Sequence, residues 1–165
     1  MGRQLVAASL IMRLDDGRIL LVWKINAKGE GKWVLPGGKM IRSVDGQPKE
    51  AWDREKKEEL SEDIRTKFSL GTYFSDERDF EIFFSVAEPE EAERLEYREK
   101  EILLPHRWES PEEARKLPIS DVARVALERI PELGKSLNFL KQIEGFLGKG
   151  AIAGKIRKPW FVGFF

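Results

Sequence analysis

The chain has 165 residues, and 41% of them are hydrophobic, which fits one folded domain with a core and excludes a wholly disordered chain. Its 29 lysines and arginines balance 29 aspartates and glutamates, and this zero net charge argues against a dedicated nucleic-acid binder. Cysteine is absent and there is one histidine, so disulfides, thiolate zinc sites, a cysteine nucleophile and a histidine-rich metal site are excluded.

The first part of the chain predicts strands separated by turns. Apolar residues alternate over 5–14, which predicts a strand, and Asp16–Gly17 is a strong signal for the turn of a β-hairpin. The nearly continuous apolar run 18–25 predicts a second strand, buried on both faces. We expect a polar, glycine-containing loop over 26–32.

The middle of the chain predicts a helix followed by further strands. A helix is predicted over 48–62, because Pro48 stands near its start and the segment is rich in Glu, Lys and Arg. Alternating apolar residues predict strands over 68–74 and 80–86, whereas the glutamate-rich segment 88–101 is ambiguous.

The last part of the chain predicts helices. Ser110–Pro111–Glu112–Glu113 has the form of a capping box with proline at the first helical position. Helical spacing of apolar residues recurs over 122–130 and over 133–147, and a basic, aromatic tail follows from Gly148. Strands, a helix, more strands and then helices indicate a mixed α/β layered domain.

The most informative feature is the acidic face of the helix predicted over 48–62. Glu55, Glu58 and Glu59 stand at positions i, i+3 and i+4 and share one face, which Glu62 extends by another turn. Like charges one turn apart repel each other, and a bound divalent cation such as Mg²⁺, which prefers carboxylate oxygens, would offset the repulsion. Arg54 lies four residues before Glu58 and could hold one carboxylate in place.

A simpler interpretation of the same helix is a solvated charged surface. Lys49, Lys56 and Lys57 are available as ion-pair partners for the glutamates, and charge runs at helical spacing are usually exposed faces.

The turn that precedes the helix favours the metal-binding interpretation. Gly37 and Gly38 follow an apolar run and Pro36; glycine lets the backbone approach a ligand closely, and a glycine carbonyl can serve as a cation ligand.

These two segments together resemble a family motif. Trp33-Val34-Leu35-Pro36-Gly37-Gly38, followed by Ala51 and Arg54-Glu55-x-x-Glu58-Glu59, resembles the Nudix hydrolase box, G-x5-E-x7-R-E-U-x-E-E-x-G-U, where U is bulky and apolar. The order of the flanking elements fits that family up to about residue 130. The resemblance implies a Nudix-like α/β/α sandwich of the α+β class with a mixed β-sheet over residues 1–132. Residues 133–165 would add a C-terminal helix and a tail packed on the domain or on a partner subunit.

The box departs from the family pattern in its first half. Arg54 comes two residues late when counted from Gly38, which places an insertion within 39–47. The early glutamate is missing, because Gly46 stands at its position, and the neighbouring Asp45 is a candidate replacement. Two further box positions hold other residues than expected, namely Lys56 and Ser61.

The resemblance implies a hydrolase that cleaves the pyrophosphate linkage of a nucleoside diphosphate derivative with Mg²⁺ or Mn²⁺. The glutamates Glu55, Glu58 and Glu59 would bind the metal, with the Gly38 carbonyl as a possible further ligand. Arg54 would orient the carboxylates, and together with them it forms the expected catalytic set. The general base stays open between Glu55 and a residue outside the box; two candidates that follow the central strands are Glu99 and Glu101.

Two alternatives to this hydrolase remain at the level of the sequence. Loss of the early glutamate permits a catalytically silent Nudix-fold module that binds a nucleotide or a protein. An unrelated interaction protein could use the acidic helix as its binding face. Among substrates, the sequence leaves open nucleotide sugars, ADP-ribose, oxidised nucleoside triphosphates, and capped or triphosphorylated RNA ends.

The expected partners follow from composition and pattern. No stretch approaches the roughly 20 apolar residues of a membrane span, and the amino terminus lacks a signal-peptide pattern, so we expect a cytoplasmic protein without a membrane partner. We expect a small-molecule nucleotide as substrate rather than a nucleic acid. Four aromatic residues in the tail would invite association if exposed, which predicts a homodimer.

Overall fold

A computed structural model describes residues 3–129 of the chain. Strands dominate the first half, and short helices fill the connections of the second half. The elements in chain order are β1 (Leu5–Arg13), β2 (Ile19–Ile25), β3 (Gly31–Val34), β4 (Gly37–Lys39), α1 (Pro48–Glu59), β5 (Arg65–Phe74), β6 (Asp79–Ala87), α2 (Pro89–Arg94), β7 (Tyr97–Glu99), β8 (Ile102–Leu104), β9 (His106–Glu109), α3 (Pro111–Ala114) and α4 (Asp121–Glu128).

The main sheet is mixed and runs in the order β3-β2-β1-β6-β5. Strands β1 and β6 are parallel, whereas the other pairs in this sheet are antiparallel. Strand β9 pairs with β2, and β7 and β8 form a separate two-stranded sheet. The predicted α+β class with a mixed sheet is therefore confirmed.

The sheet opens beside β1, whose neighbour changes along its length. Near its carboxyl end β1 pairs with β2, through Met12 and Ile19. Near its amino end it pairs instead with β4, where Ala8 lies opposite Gly37 and Ala7 opposite Gly38. Strands β2 and β3 thus diverge from β1, and the diglycine segment lies where they separate.

Both faces of the main sheet are buried, which gives the layered sandwich that the sequence predicts. On one face Phe84 packs in a cluster with Leu127 of α4, and on the other face Phe83 packs in a cluster with Trp52 of α1. Strand β1 contributes to both clusters, so the alternation seen over 5–14 does not mark a solvent-exposed face.

Helix α1 ends three residues before its predicted end. Leu60 has extended backbone angles, φ −106° and ψ 137°, and it is buried in a bridge with Tyr97. Glu62 therefore lies outside the helix, where it forms an ion pair of 2.7 Å with Arg94. The prediction that Glu62 extends the acidic helical face is wrong, because burial of Leu60 against a distant strand overrides helical continuation.

The predicted loop over 26–32 is shorter than expected, because β3 already begins at Gly31. Gly31 and Lys32 pair with Ile25 and Lys24 across the β2–β3 hairpin. Only a residue without a side chain fits at position 31, because a Cβ atom on Gly31 would overlap the Trp23 ring.

Some predictions lie outside the described residues. These include the helix over 133–147, the basic and aromatic tail, and the domain boundary between 132 and 133. The homodimer also stays a prediction. None of the helices within residues 3–129 has the length and apolar character that crossing a membrane requires.

Candidate functional site

Helix α1 is held against the sheet by its apolar side, which fixes the direction of its acidic side. Ala51 and Trp52 are fully buried, and the Trp52 indole N–H donates a hydrogen bond of 2.8 Å to the Thr66 hydroxyl. Pro48 occupies the first helical turn, where its missing N–H has no cost. The next turn of the helix then carries Arg54 and Glu55 toward β4.

The diglycine segment makes room for a carboxylate. A Cβ atom at Gly38 would overlap the carboxyl group of Glu55, and a Cβ atom at Gly37 would overlap the backbone of Ala7. Neither glycine has a positive φ, so both are needed for space rather than for backbone conformation. The Glu55 side chain is only 12% exposed, and it lies directly against the Gly38 backbone.

Arg54 joins the helix to the loop that precedes it. Its Nε and Nη2 atoms donate to the two carboxylate oxygens of Asp45 at 3.2 and 2.9 Å, and Nη1 donates to Glu55 at 2.9 Å. Nη2 also donates to the Lys39 carbonyl at 3.0 Å. The carboxylate of Glu58 is 3.6 Å from Nη1. Asp45 first and then Glu55 raise the pKa of Arg54, and the hydrogen bonds together fix its guanidinium in one orientation.

Asp45 is a buried carboxylate with a full set of donors. It is 3% exposed, and it accepts a hydrogen bond of 2.8 Å from the Ile41 backbone N–H in addition to the two from Arg54. The hydrogen bonds from Arg54 and then from Ile41 hold the pKa of Asp45 below its ordinary value. The residue considered as a replacement for the missing early glutamate thus lies against Arg54.

Glu59 is the most perturbed carboxylate of the group. It is 9% exposed, and its Oε2 atom is buried without a hydrogen-bond partner among residues 3–129. Burial, and next a hydrogen bond that protonated Glu59 donates to the neighbouring Glu55 carboxylate, together with the charge of that carboxylate, raise the pKa of Glu59 to about 8. The solvated-surface interpretation of the helix does not fit Glu55 and Glu59, which are packed together in the interior.

Glu58 differs from its two neighbours. Its side chain is 58% exposed and lies on the side of Arg54. Within the part of the chain that the structure describes, no three acidic or histidine side chains are already gathered at coordinating distance. Of the three predicted metal-binding glutamates, the structure therefore brings Glu55 and Glu59 together, close to Arg54 and Gly38. Glu58 lies next to this group but is exposed.

A cleft opens where β2 and β3 separate from β1 and β4. It has a volume of about 660 Å³, and it reaches from the diglycine segment to two aromatic residues. The rings of Tyr73 and Phe80 stack with their centroids 6.2 Å apart. The lining residues that bear on ligand chemistry are Lys24, Lys32, Gly38, Lys39, Tyr73, Phe80 and Asp121.

The two candidates for a general base outside the helix differ in position. Glu99 forms an ion pair of 3.3 Å with Lys24, and its charge contributes to the raised pKa of Glu59. Glu101 lies in the turn between β7 and β8 with a φ of 67°. Glu99 is therefore close to the carboxylate group, whereas nothing in residues 3–129 connects Glu101 with it.

A known protein family matches almost the same residues as those that the structure describes. The model of the NUDIX domain matches residues 3–130. The chain belongs to the NUDIX family. The match covers both the diglycine segment and the glutamate helix, although the sequence departs from the usual box between them.

Solved NUDIX structures share this fold at low sequence identity. A mutT/nudix family protein from Listeria innocua has a TM-score of 0.66 at 20% identity, over 85% of this chain and 99% of that protein. MutT from Methanosarcina mazei Go1 has a TM-score of 0.60 at 22% identity, over 81% and 96% of the two chains. The NUDIX domain of Shewanella oneidensis NrtR, solved with ADP ribose, has a TM-score of 0.55 at 16% identity, over 80% and 88%. No curated protein sequence matches the chain significantly.

Several residues of this NUDIX cleft could not be found from the box alone. Tyr73 and Phe80 belong to predicted strands, and their alternation suggested only packing. Lys24 and Lys32 face each other only because of the β2–β3 register, which the sequence does not display. The signal that was available is Lys24, which interrupts the apolar run 18–25; Lys32 belonged to the predicted polar loop over 26–32 and gave no such signal.

Proposed function

We propose that this NUDIX protein hydrolyses the pyrophosphate linkage of a nucleoside diphosphate derivative, using Mg²⁺ or Mn²⁺. The observation that carries the proposal is the pair of neighbouring buried carboxylates, Glu55 and Glu59, of which Glu55 lies directly against Gly38 of the cleft. Two adjacent buried carboxylates destabilise a fold unless a proton or a cation lies between them. Their retention in the interior therefore needs a functional reason.

The donor set fits a hard divalent cation. Oε2 of Glu59 is buried and has no hydrogen-bond partner among residues 3–129, and carboxylate oxygens are the ligands that Mg²⁺ and Mn²⁺ prefer. Glu55, Glu58 and Glu59 would hold the ion, with the Gly38 carbonyl as a further ligand. Such an ion would neutralise phosphate charge and lower the pKa of a bound water.

The protein's own groups would position the reactants. Arg54 holds the Glu55 carboxylate in place, and Asp45 holds Arg54, so the orientation of Glu55 is fixed before the substrate binds. Glu99, which lies beside Lys24 near Glu59, and Glu55 are the two candidates for the base that accepts a proton from the attacking water. A comparison of the pH–rate profiles of Glu55→Gln and Glu99→Gln would decide which of the two glutamates is the base.

The cleft supports a small nucleotide as the substrate. Its volume of about 660 Å³ lies within the range of small-molecule sites, and Tyr73 and Phe80 offer an aromatic wall on which a base can stack. A related fold, the NUDIX domain of Shewanella oneidensis NrtR, has been solved with ADP ribose, which contains the proposed linkage.

A panel of nucleotide sugars, ADP-ribose and nucleoside triphosphates, assayed with Mg²⁺ and Mn²⁺, tests the proposal. We expect metal-dependent release of phosphate or a nucleoside monophosphate, and a loss of at least about a hundredfold in Glu59→Gln. The matched control is Glu62→Gln, a glutamate three residues further on that pairs with Arg94 away from the site. Nucleotide binding without turnover would instead support the catalytically silent module. If the protein shows no nucleotide binding and no turnover, the result would support the interaction protein.

A further inference from the structure

Two lysines face each other across the β2–β3 hairpin on the wall of the cleft. Lys24 and Lys32 are register partners, and both line the cleft. Side chains alternate along a strand, so the neighbouring Trp23 and Trp33 point to the opposite face, where their rings meet at 5.1 Å. The aromatic pair fixes the hairpin register and with it the position of the two lysines.

This arrangement is unfavourable for the fold alone. Like charges directly opposite each other in a sheet are destabilising. Glu99 neutralises Lys24 at 3.3 Å, whereas neither Lys32 nor Lys39 forms an ion pair with any residue in 3–129. Lys32 and Lys39 therefore carry charges on this wall that no ion pair within residues 3–129 neutralises, while Asp76, Glu77 and Asp121 also line the cleft.

The lysine pair borders the carboxylate group rather than a remote surface. Lys24 lies 3.3 Å from Glu99 at the end of β7, and β7 bridges through Tyr97 to Leu60, the residue that follows Glu59. Gly38 and Lys39 line the same cleft. An anion bound between Lys24 and Lys32 would thus lie next to a pyrophosphate group held at the carboxylates.

We propose that Lys24 and Lys32 form an anion subsite for a phosphate additional to the two of the scissile linkage. This inference rests on the proposed function and narrows it: the chain acts on nucleoside triphosphates, or on other substrates ending in a phosphate chain, in preference to nucleotide sugars. Lys32 is exposed, so a neutral sugar in the same position would leave its ammonium group in water, whereas a phosphate would gain a charge-assisted hydrogen bond from it.

Binding of inorganic tripolyphosphate without divalent metal tests the subsite independently of catalysis. By titration calorimetry we expect Lys32→Gln to bind about tenfold more weakly than the wild type, as expected for the loss of one charge-assisted contact. The matched control is Lys28→Gln in the same hairpin, because Lys28 is exposed and does not line the cleft. Equal binding by the wild type and Lys32→Gln would overturn the inference.

A charge reversal separates this role from a structural one. Lys32→Glu places a carboxylate opposite Lys24, so Tm should stay the same or rise while tripolyphosphate binding is lost. A lower Tm together with weaker binding in both Lys32 variants would show that Lys32 supports the hairpin and would contradict the subsite. Lys32→Arg should retain most of the binding.

Paired substrates with the same base then test the preference. We expect Lys32→Gln to lower kcat/KM by about tenfold for the nucleoside triphosphate and by less than about threefold for the nucleoside diphosphate sugar. Equal losses on both substrates would contradict the proposed preference. If the wild type hydrolyses no member of the nucleotide panel, the proposed function fails, and the tripolyphosphate titration still decides whether the subsite exists.

Discussion

Asp45 and Arg54 form a two-pronged ion pair that ties the loop before α1 to the middle of that helix. Both carboxylate oxygens of Asp45 accept from the guanidinium, at 3.2 and 2.9 Å, and Asp45 is 3% exposed. The remaining terminal nitrogen of Arg54 donates to Glu55 at 2.9 Å. The orientation of the buried Glu55 carboxylate at Gly38 therefore depends on Asp45, which acts through Arg54.

Replacing Asp45 should weaken catalysis through Arg54. In Asp45→Asn the charge that holds the guanidinium is lost, so Glu55 becomes less well placed, and we expect kcat/KM to fall about ten- to a hundredfold. The measurement is steady-state kinetics together with the affinity for Mn²⁺, because a loss of position should weaken metal binding as well. Asp53→Asn is the matched control, since Asp53 lies on the same helix in a surface pair with Lys49.

A further comparison of aspartate variants shows whether activity is lost because Glu55 is misplaced or because the fold is weakened. Asp45→Glu keeps the charge and should recover part of the lost activity, although its longer side chain must fit a buried space. If Asp45→Asn and Asp53→Asn lose activity equally, the pair with Arg54 has no special role.

The two glycines should respond differently to an added methyl group. At Gly38 the methyl meets the end of the Glu55 side chain, which can move, so Gly38→Ala should fold while losing most of its metal affinity and activity. At Gly37 the methyl meets the backbone of Ala7, which cannot move without disturbing β1, so Gly37→Ala should lower Tm markedly. Thermal unfolding and Mn²⁺ titration of both variants provide the test, and a normal metal affinity in folded Gly38→Ala would contradict the site.

The raised pKa of Glu59 predicts a pH-dependent stability in the absence of metal. Because burial raises this pKa from 4.5 to about 8, the folded state favours the neutral acid, and its contribution to stability is lost as pH rises between those values. Glu59→Gln has no such charge, so the difference in Tm, wild type minus variant, should decrease from pH 5 to pH 8 in a chelating buffer. Addition of Mg²⁺ at pH 8 should restore the wild type, and a difference that stays constant with pH would contradict the assignment.

Much of the fold could be predicted from local sequence pattern. The alternation over 5–14, the Asp16–Gly17 turn and the proline at the start of α1 correspond to β1, the β1–β2 hairpin and the helix that carries the glutamates. The end of α1 could not be predicted in this way, because it depends on the contact of Leu60 with Tyr97, a residue far along the chain. Local propensity favoured a longer helix, and tertiary packing decided against it.

The candidate site could be predicted where the chemistry lies in one continuous segment. Helical spacing alone placed Glu55 and Glu59 on one face, but it did not predict that they would be buried. The pairing of Asp45 with Arg54 depends on the path of an inserted loop, and the Lys24–Lys32 pair depends on strand register. Such relationships between segments have no local signal, and they require the folded chain.

The most direct test of the metal site is a Mn²⁺ titration followed by electron paramagnetic resonance. We expect the wild type to bind Mn²⁺ at one strong site, Glu55→Gln and Glu59→Gln to weaken that site by about tenfold or more, and Glu62→Gln to leave it unchanged. Equal affinities in all four proteins would contradict the assignment of the ion to the buried carboxylates beside Gly38.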